Sequence, residues 1–164
     1  MSSPSSNSDA DCPSADPRLD NANRDGQCAG VVDQDGRDLA RIRRICLGFP
    51  EVEEAELQGR PMFRVHTRRF ALFNGALSPS RPRWSAFGRS LHFLSEPQER
   101  LALLADARFV PSPHHGHRGW LALDLEVVEP DWAEAADLLE TGYRQAANRQ
   151  LITLLDRSKD RGHA

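Results

Sequence analysis

Three histidines, His114, His115 and His117, fall within four positions of the stretch FVPSPHHGHRGWLAL at residues 109–123. Imidazole is the commonest protein metal ligand, so a metal is the first chemistry to weigh. Zinc takes three or four ligands in fixed geometry. Neighbouring side chains diverge, so this run supplies two ligands at most without strain. No Cys or carboxylate stands close beside it. His66 and His92 could join only from adjacent strands. A solvent-exposed connection between strands is the better reading, with no metal bound.

Nucleophilic chemistry has less support. The chain has no GxSxG elbow, no GxxxxGK[ST] loop and no HExxH pair. Cys46 lies on the apolar side of a helical pattern and reads as core. Glu51, Glu53, Glu54 and Glu56 crowd together, and such crowding can raise a carboxyl pKa for acid–base work. The commoner outcome is a solvated loop. These observations predict a non-enzymatic protein without a cofactor.

The stronger signal is cationic. Residues 57–95 hold seven arginines (Arg60, Arg64, Arg68, Arg69, Arg81, Arg83 and Arg89) and no acid, whereas residues 119–143 hold seven acids and no base. A net charge of −3 therefore hides a dipole along the sequence. Guanidinium groups on hairpin tips can straddle a phosphate backbone, with Trp84 nearby to stack. Arg64, Arg68, Arg69, Arg81, Arg83 and Arg118 are the candidate phosphate contacts. The rival reading pairs these arginines with an acidic helix carrying Glu134, Asp137 and Glu140, within the molecule or across a dimer. A third uses the sheet face and the His loop for a small ligand or metal.

The elements that position these residues follow from patterning. Residues 1–37, rich in Ser, Asp, Asn, Pro and Gly, read as a disordered acidic tail, and residues 158–164 as a disordered end. Residues 38–157 form the domain. Leu39, Ile42, Cys46 and Phe49 recur at helical steps, with Asp38 as N-cap and Gly48 and Pro50 as the stop. Residues 61–74 alternate as a hairpin that turns at Thr67 and Arg68. Residues 90–94 make a further strand. Ser95 and Gln98 form a capping-box pattern before a short helix, and two strands flank the His loop. Asp131 caps a final helix whose inner face runs through Trp132, Ala136, Leu139, Tyr143, Ala147, Leu151 and Leu154. The expected fold is α+β and two-layer: an antiparallel sheet with helices on one face. Apolar runs are too short to span a membrane, and the N-terminus lacks a signal pattern. With three unpaired-looking cysteines, these features predict a cytoplasmic protein.

From residue 38 to residue 156 the chain resembles the MmcQ/YjbR family, bacterial domains often labelled DNA-binding. ICLGFPEVEEAE is similar to that family's first helix and its ending. RPMFRVHTRRFALFNG is similar to its central hairpin, HHGHRGWLALDL to its Gly-Trp segment before a strand, and DWAEAADLLETGYRQAANRQL to its closing helix. The resemblance implies helix–three strands–helix–two strands–helix, and DNA binding through paired wing-like hairpins. It brings no catalytic residues. The chain departs from common members in its single lysine, its acidic tail and its Pro-rich loop at residues 77–83. The expected partners are therefore double-stranded DNA, bound weakly, or alternatively a second copy or an acidic protein.

Overall fold

A computed structural model describes residues 21–75, 88–113, 115–126 and 130–162. Helix α1 spans Asn21–Cys46, and strands β1 to β4 follow at Val52–Leu57, Arg60–Val65, Arg68–Asn74 and Ser90–Leu94. Helix α2 (Arg100–Leu104), strand β5 (Phe109–Pro111), a 3-10 turn (Gly116–Arg118) and strand β6 (Trp120–Asp124) come next. Helices α3 (Trp132–Ala146) and α4 (Arg149–Gly162) end the chain. The sheet is antiparallel throughout, in the order β1-β2-β3-β4-β6-β5. This is the expected α+β class.

Alternation along the strands decides the two faces. Phe63, Val65, Phe73, Leu91, Phe93 and Leu121 point into the main core, where Ile42 and Cys46 of α1 and Leu139 and Tyr143 of α3 meet them. The opposite face carries a smaller cluster of Met62, Leu72 and Trp120, packed by Ala55, Leu57 and Leu94. Pairing shifts by one residue between Phe63 and Arg64, leaving Phe70 unpaired in β3. This bulge sends both Phe70 and Ala71 into the main core.

Several elements depart from the sequence reading. Helix α1 begins at Asn21, so Asp38 is not its cap but a buried residue inside it, only 2% exposed. The acidic stretch VEEAEL is an edge strand, not a loop, with Glu53, Glu54 and Glu56 exposed. Charged edges of this kind resist pairing with a second sheet. Ser95 does not cap α2. Its hydroxyl donates to the Gly119 carbonyl at 2.6 Å, and α2 has no side-chain cap. The closing helix is two helices. Asn148 breaks it and caps α4, accepting from the Leu151 amide at 3.0 Å. After the break the buried positions become Leu151 and Leu155, leaving Leu154 at 47% exposure. Asp131 does cap α3, accepting from the Ala133 and Glu134 amides.

Helix α3 lies unusually close to the sheet at Gly142. A Cβ there would stand 3.0 Å from the Leu94 carbonyl oxygen and 3.3 Å from that of Phe70. Both obstacles are strand backbone, which cannot swing aside. Gly142→Ala would gain roughly 1 kcal/mol of helix propensity. Forcing the helix off two strands should outweigh that, for a net loss of roughly 1–3 kcal/mol in urea unfolding. A variant as stable as wild type would show that the helix can lift freely.

Candidate nucleic-acid interface

The β2–β3 hairpin closes over His66 and Thr67, one residue earlier than the sequence suggested, with Val65 paired to Arg68. His66 adopts φ +52, a backbone state that non-glycine residues seldom take. Its Nε2 lies 3.7 Å from Glu51 Oε2 and 3.5 Å from Asn148 Nδ2. The hairpin tip thus abuts the junction of α3 and α4.

Six arginines were candidate phosphate contacts, and their surroundings differ. Arg64 and Arg69 sit directly opposite each other across β2 and β3, a like-charge pairing that destabilises a sheet. Glu53, opposite Arg64 on its other side, answers it with an ion pair at 3.2 Å. Both partners are well exposed, so the pair contributes little. Arg68 is exposed and Arg69 half-buried, and no ion pair among the described residues engages either. Arg118 is exposed in the 3-10 turn, likewise without an ion pair among the described residues. Arg81 and Arg83 lie outside the described residues.

The turn that carries Arg118 is held firmly. The Gly116 amide donates to the Ser112 carbonyl at 2.7 Å, and Arg100 donates to the Gly116 carbonyl at 2.5 Å. Gly119 closes the turn at φ +87, a left-handed state suited to glycine. Half-buried His115 packs on Trp120 with ring centroids 5.5 Å apart, while His117 is exposed. His114 lies outside the described residues. No group of three His, Cys, Asp or Glu among the described residues is placed to hold a metal. His66 sits at the β2–β3 hairpin tip, and His92 meets the loop only at Ser112. His92 is buried in β4, with Ser90 Oγ 3.0 Å from its Nε2 and Ser112 Oγ 2.9 Å from its Nδ1.

Register joins the two turns. Ala71 pairs with Phe93, and Leu94 pairs with Trp120. The start of β3 and the start of β6 therefore lie at one end of the sheet, two strand spacings or about 10 Å apart. Arg68, Arg69 and Arg118 share that end. Arg149, exposed at the start of α4 beside Asn148, joins them. The sequence reading missed Arg149 because it ran one helix through that position. Asn148, a good N-cap residue, was the available signal.

The remaining arginines of the cationic stretch are structural. Arg60 is 6% exposed, and burial pulls its pKa below the ordinary guanidinium value. Arg89 reaches from the start of β4 into α1. Its Nε stands 2.9 Å from Asp38 Oδ2 and its Nη1 3.9 Å from Asp35 Oδ1, while Nη2 donates to the Leu125 carbonyl. The Nε–Oδ2 contact is not a well-aligned hydrogen bond, so these two shielded atoms are joined by charge alone. Burial pushes the Asp38 carboxyl above its ordinary value, against the opposing pull of Arg89 and the Gln34 hydrogen bond. The acidic helix turns elsewhere. Glu134 accepts from Arg108 at 2.8 Å. Glu140 accepts from Arg144 and Lys159, and although burial acts to raise its pKa, these bonds draw it down.

The YjbR family model matches residues 47–145, more than half of the chain. The protein belongs to the YjbR family. No curated protein matches it. The YjbR match begins where α1 ends and stops within α3, so it contains all six strands, the hairpin tip and the Arg118 turn. All of α1 and all of α4, including Arg149, lie outside it. No helix among the described residues is long and apolar enough to cross a membrane.

The buried cluster has a testable consequence. Arg89→Ala would remove the cation that faces two buried carboxylates and should cost roughly 3–5 kcal/mol. Asp38→Asn should behave differently. The unfolded carboxyl titrates near 3.8 and the folded one higher. Wild type therefore loses stability as pH rises through that interval, because the folded state binds the proton more tightly. The variant escapes this loss, so its stability relative to wild type should climb between about pH 3 and pH 7. Urea unfolding at the two pH values measures it, and a difference that stays flat contradicts the buried-carboxyl account.

Proposed function

We propose that this YjbR protein is a binding module without catalytic chemistry, and that it contacts nucleic-acid phosphates weakly through the cationic end of its sheet. One observation carries the reading. Arg68, Arg69 and Arg118 come from two separate turns to the same end of the sheet, and no ion pair among the described residues neutralises them. Arg64 stands behind them in partial neutralisation by Glu53. Contacts of this kind position a duplex and read no sequence.

The competing reading, a basic hairpin meeting an acidic helix of a second copy, has less to work with. Glu134 and Glu140 are engaged within their own molecule, which leaves Asp137 as the exposed carboxylate of that trio. A duplex is the better match to an uncompensated cationic rim.

Fluorescence anisotropy of a labelled duplex of about two helical turns, titrated at several salt concentrations, tests the proposal. Affinity should fall with salt, and Arg68→Ala/Arg69→Ala should flatten the log–log slope by about one unit per lost contact. Glu53→Gln, which releases Arg64, should steepen it. Binding that is absent at low salt, or indifferent to all three substitutions, would sink the phosphate reading.

A further inference from the structure

A hollow of about 400 Å³ lies between α1 and α3, lined by Arg41, Arg44 and Ile45 of α1 and by Trp132 and Ala133 of α3. It belongs to the helix layer, on different elements from the sheet end that carries Arg68 and Arg118. Its volume is in the range of small-molecule sites. Three features of its lining bear on what would enter. The Arg41 guanidinium lies over the Trp132 ring, 5.1 Å from its centroid. A guanidinium held over a ring by cation–π attraction can still grip a carboxylate through two of its N–H donors. Arg44, one turn further along α1, is exposed and has no ion-pair partner among the described residues. Its neighbour Arg43 is committed elsewhere, bonded to Glu54 at 2.6 and 2.7 Å. Finally, the indole Nε1 of Trp132 is shielded from solvent and has no acceptor among the described residues. Such a donor is costly to leave unsatisfied.

The hollow therefore combines two cations with an apolar wall. The positive end of α3 adds little of its own, because Asp131 already occupies its first amides. We propose that this hollow binds a small organic carboxylate with an apolar body. The carboxylate meets Arg41 and Arg44, and the body lies against Ile45, Ala133 and the indole. A bare anion lacks the apolar half of this match, and a neutral apolar molecule lacks the charged half.

The Trp132 indole N–H resonance in a nitrogen–proton spectrum of the full chain is the direct reporter, assigned by its disappearance in Trp132→Phe. Phenylacetate is the probe, phenylacetamide has its shape without charge, and acetate has its charge without the body. Phenylacetate should move the resonance saturably, with the amide and acetate at least about tenfold weaker. Arg44→Gln, an exposed change that leaves the fold intact, should weaken phenylacetate about tenfold. The proposal fails if the resonance is unmoved at about 10 mM phenylacetate, if phenylacetamide moves it equally, or if Arg44→Gln binds as wild type does.

Discussion

Everything at the cationic end of the sheet depends on how α3 is seated. Gly142 and Tyr143 are neighbours, and they do opposite things. Gly142 removes side-chain bulk where the helix crosses the carbonyls of Phe70 and Leu94. Tyr143 fills the space beside it. Its ring meets Phe70 edge-on at 5.8 Å and Phe49 at 5.0 Å, and its hydroxyl donates to the Pro50 carbonyl at 3.0 Å. One residue pair thus ties the helix to β3, to β4 and to the turn that leaves α1. Phe70 is the bulged residue of β3, and the bulge is what lets its ring reach the tyrosine. It also sits three residues from the hairpin tip. The aim of Arg68 and Arg69 is consequently set by core packing and not by their own contacts.

The charge dipole evident along the sequence does not survive as a dipole in space. Arginines that are contiguous in the chain part company on folding. Arg60 and Arg89 go inward, Arg64 finds an acid on the edge strand, and Arg68 and Arg69 remain at the rim. The acids of α3 divide similarly between Arg108 and the α4 contacts. Strand alternation and the reach of each neighbour sort these residues, and net charge over a window sees neither. Arg89 is the clearest case. As part of a basic run it looks like surface, yet it is the counter-ion for Asp38, which the sequence reading made a helix cap, and for Asp35, from the stretch that composition assigns to a tail.

That assignment shows where legibility ended. The hairpin, the Asp131 cap and the helical stripe of Leu39, Ile42 and Cys46 were readable because periodicity and capping are local. The start of α1 was not. Residues 21–37 offer Asn, Asp and Gly, which favour turns, and two valines, so nothing local argues for a helix there. Strand β1 was hidden for a related reason. An edge strand exposed on much of both faces has little alternation to show, and four glutamates in six residues look like a loop. The α3–α4 break was hidden because apolar positions continue almost in phase across Asn148. At the site, the histidine run was rightly read as a connection, but the burial of His92 between two serine hydroxyls depends on pairing across three strands and leaves no trace in spacing.

The sorting of arginines also bounds how strongly the proposed surface could act. Each phosphate contact contributes roughly 0.9 units to the log–log salt slope on a duplex. Of the five arginines of the basic stretch among the described residues, Arg60 and Arg89 turn inward and Arg64 is paired, which leaves Arg68 and Arg69, and Arg118 and Arg149 add two from outside it. About four cations at one end of a small sheet give a slope near −4, well short of what tight duplex binding at physiological salt requires. A surface of this size is suited to a second, additional determinant, and the helix layer holds a separate hollow with its own cations and its own aromatic wall. The Asp38–Arg89 pair holds α1 at the start of β4, beside the ends of β3 and β6 and so at the end of the sheet opposite Arg68 and Arg118. The hollow and the cationic rim are therefore positioned by separate contacts, α1 by that buried charge pair and the rim by the seating of α3 on β3 and β4.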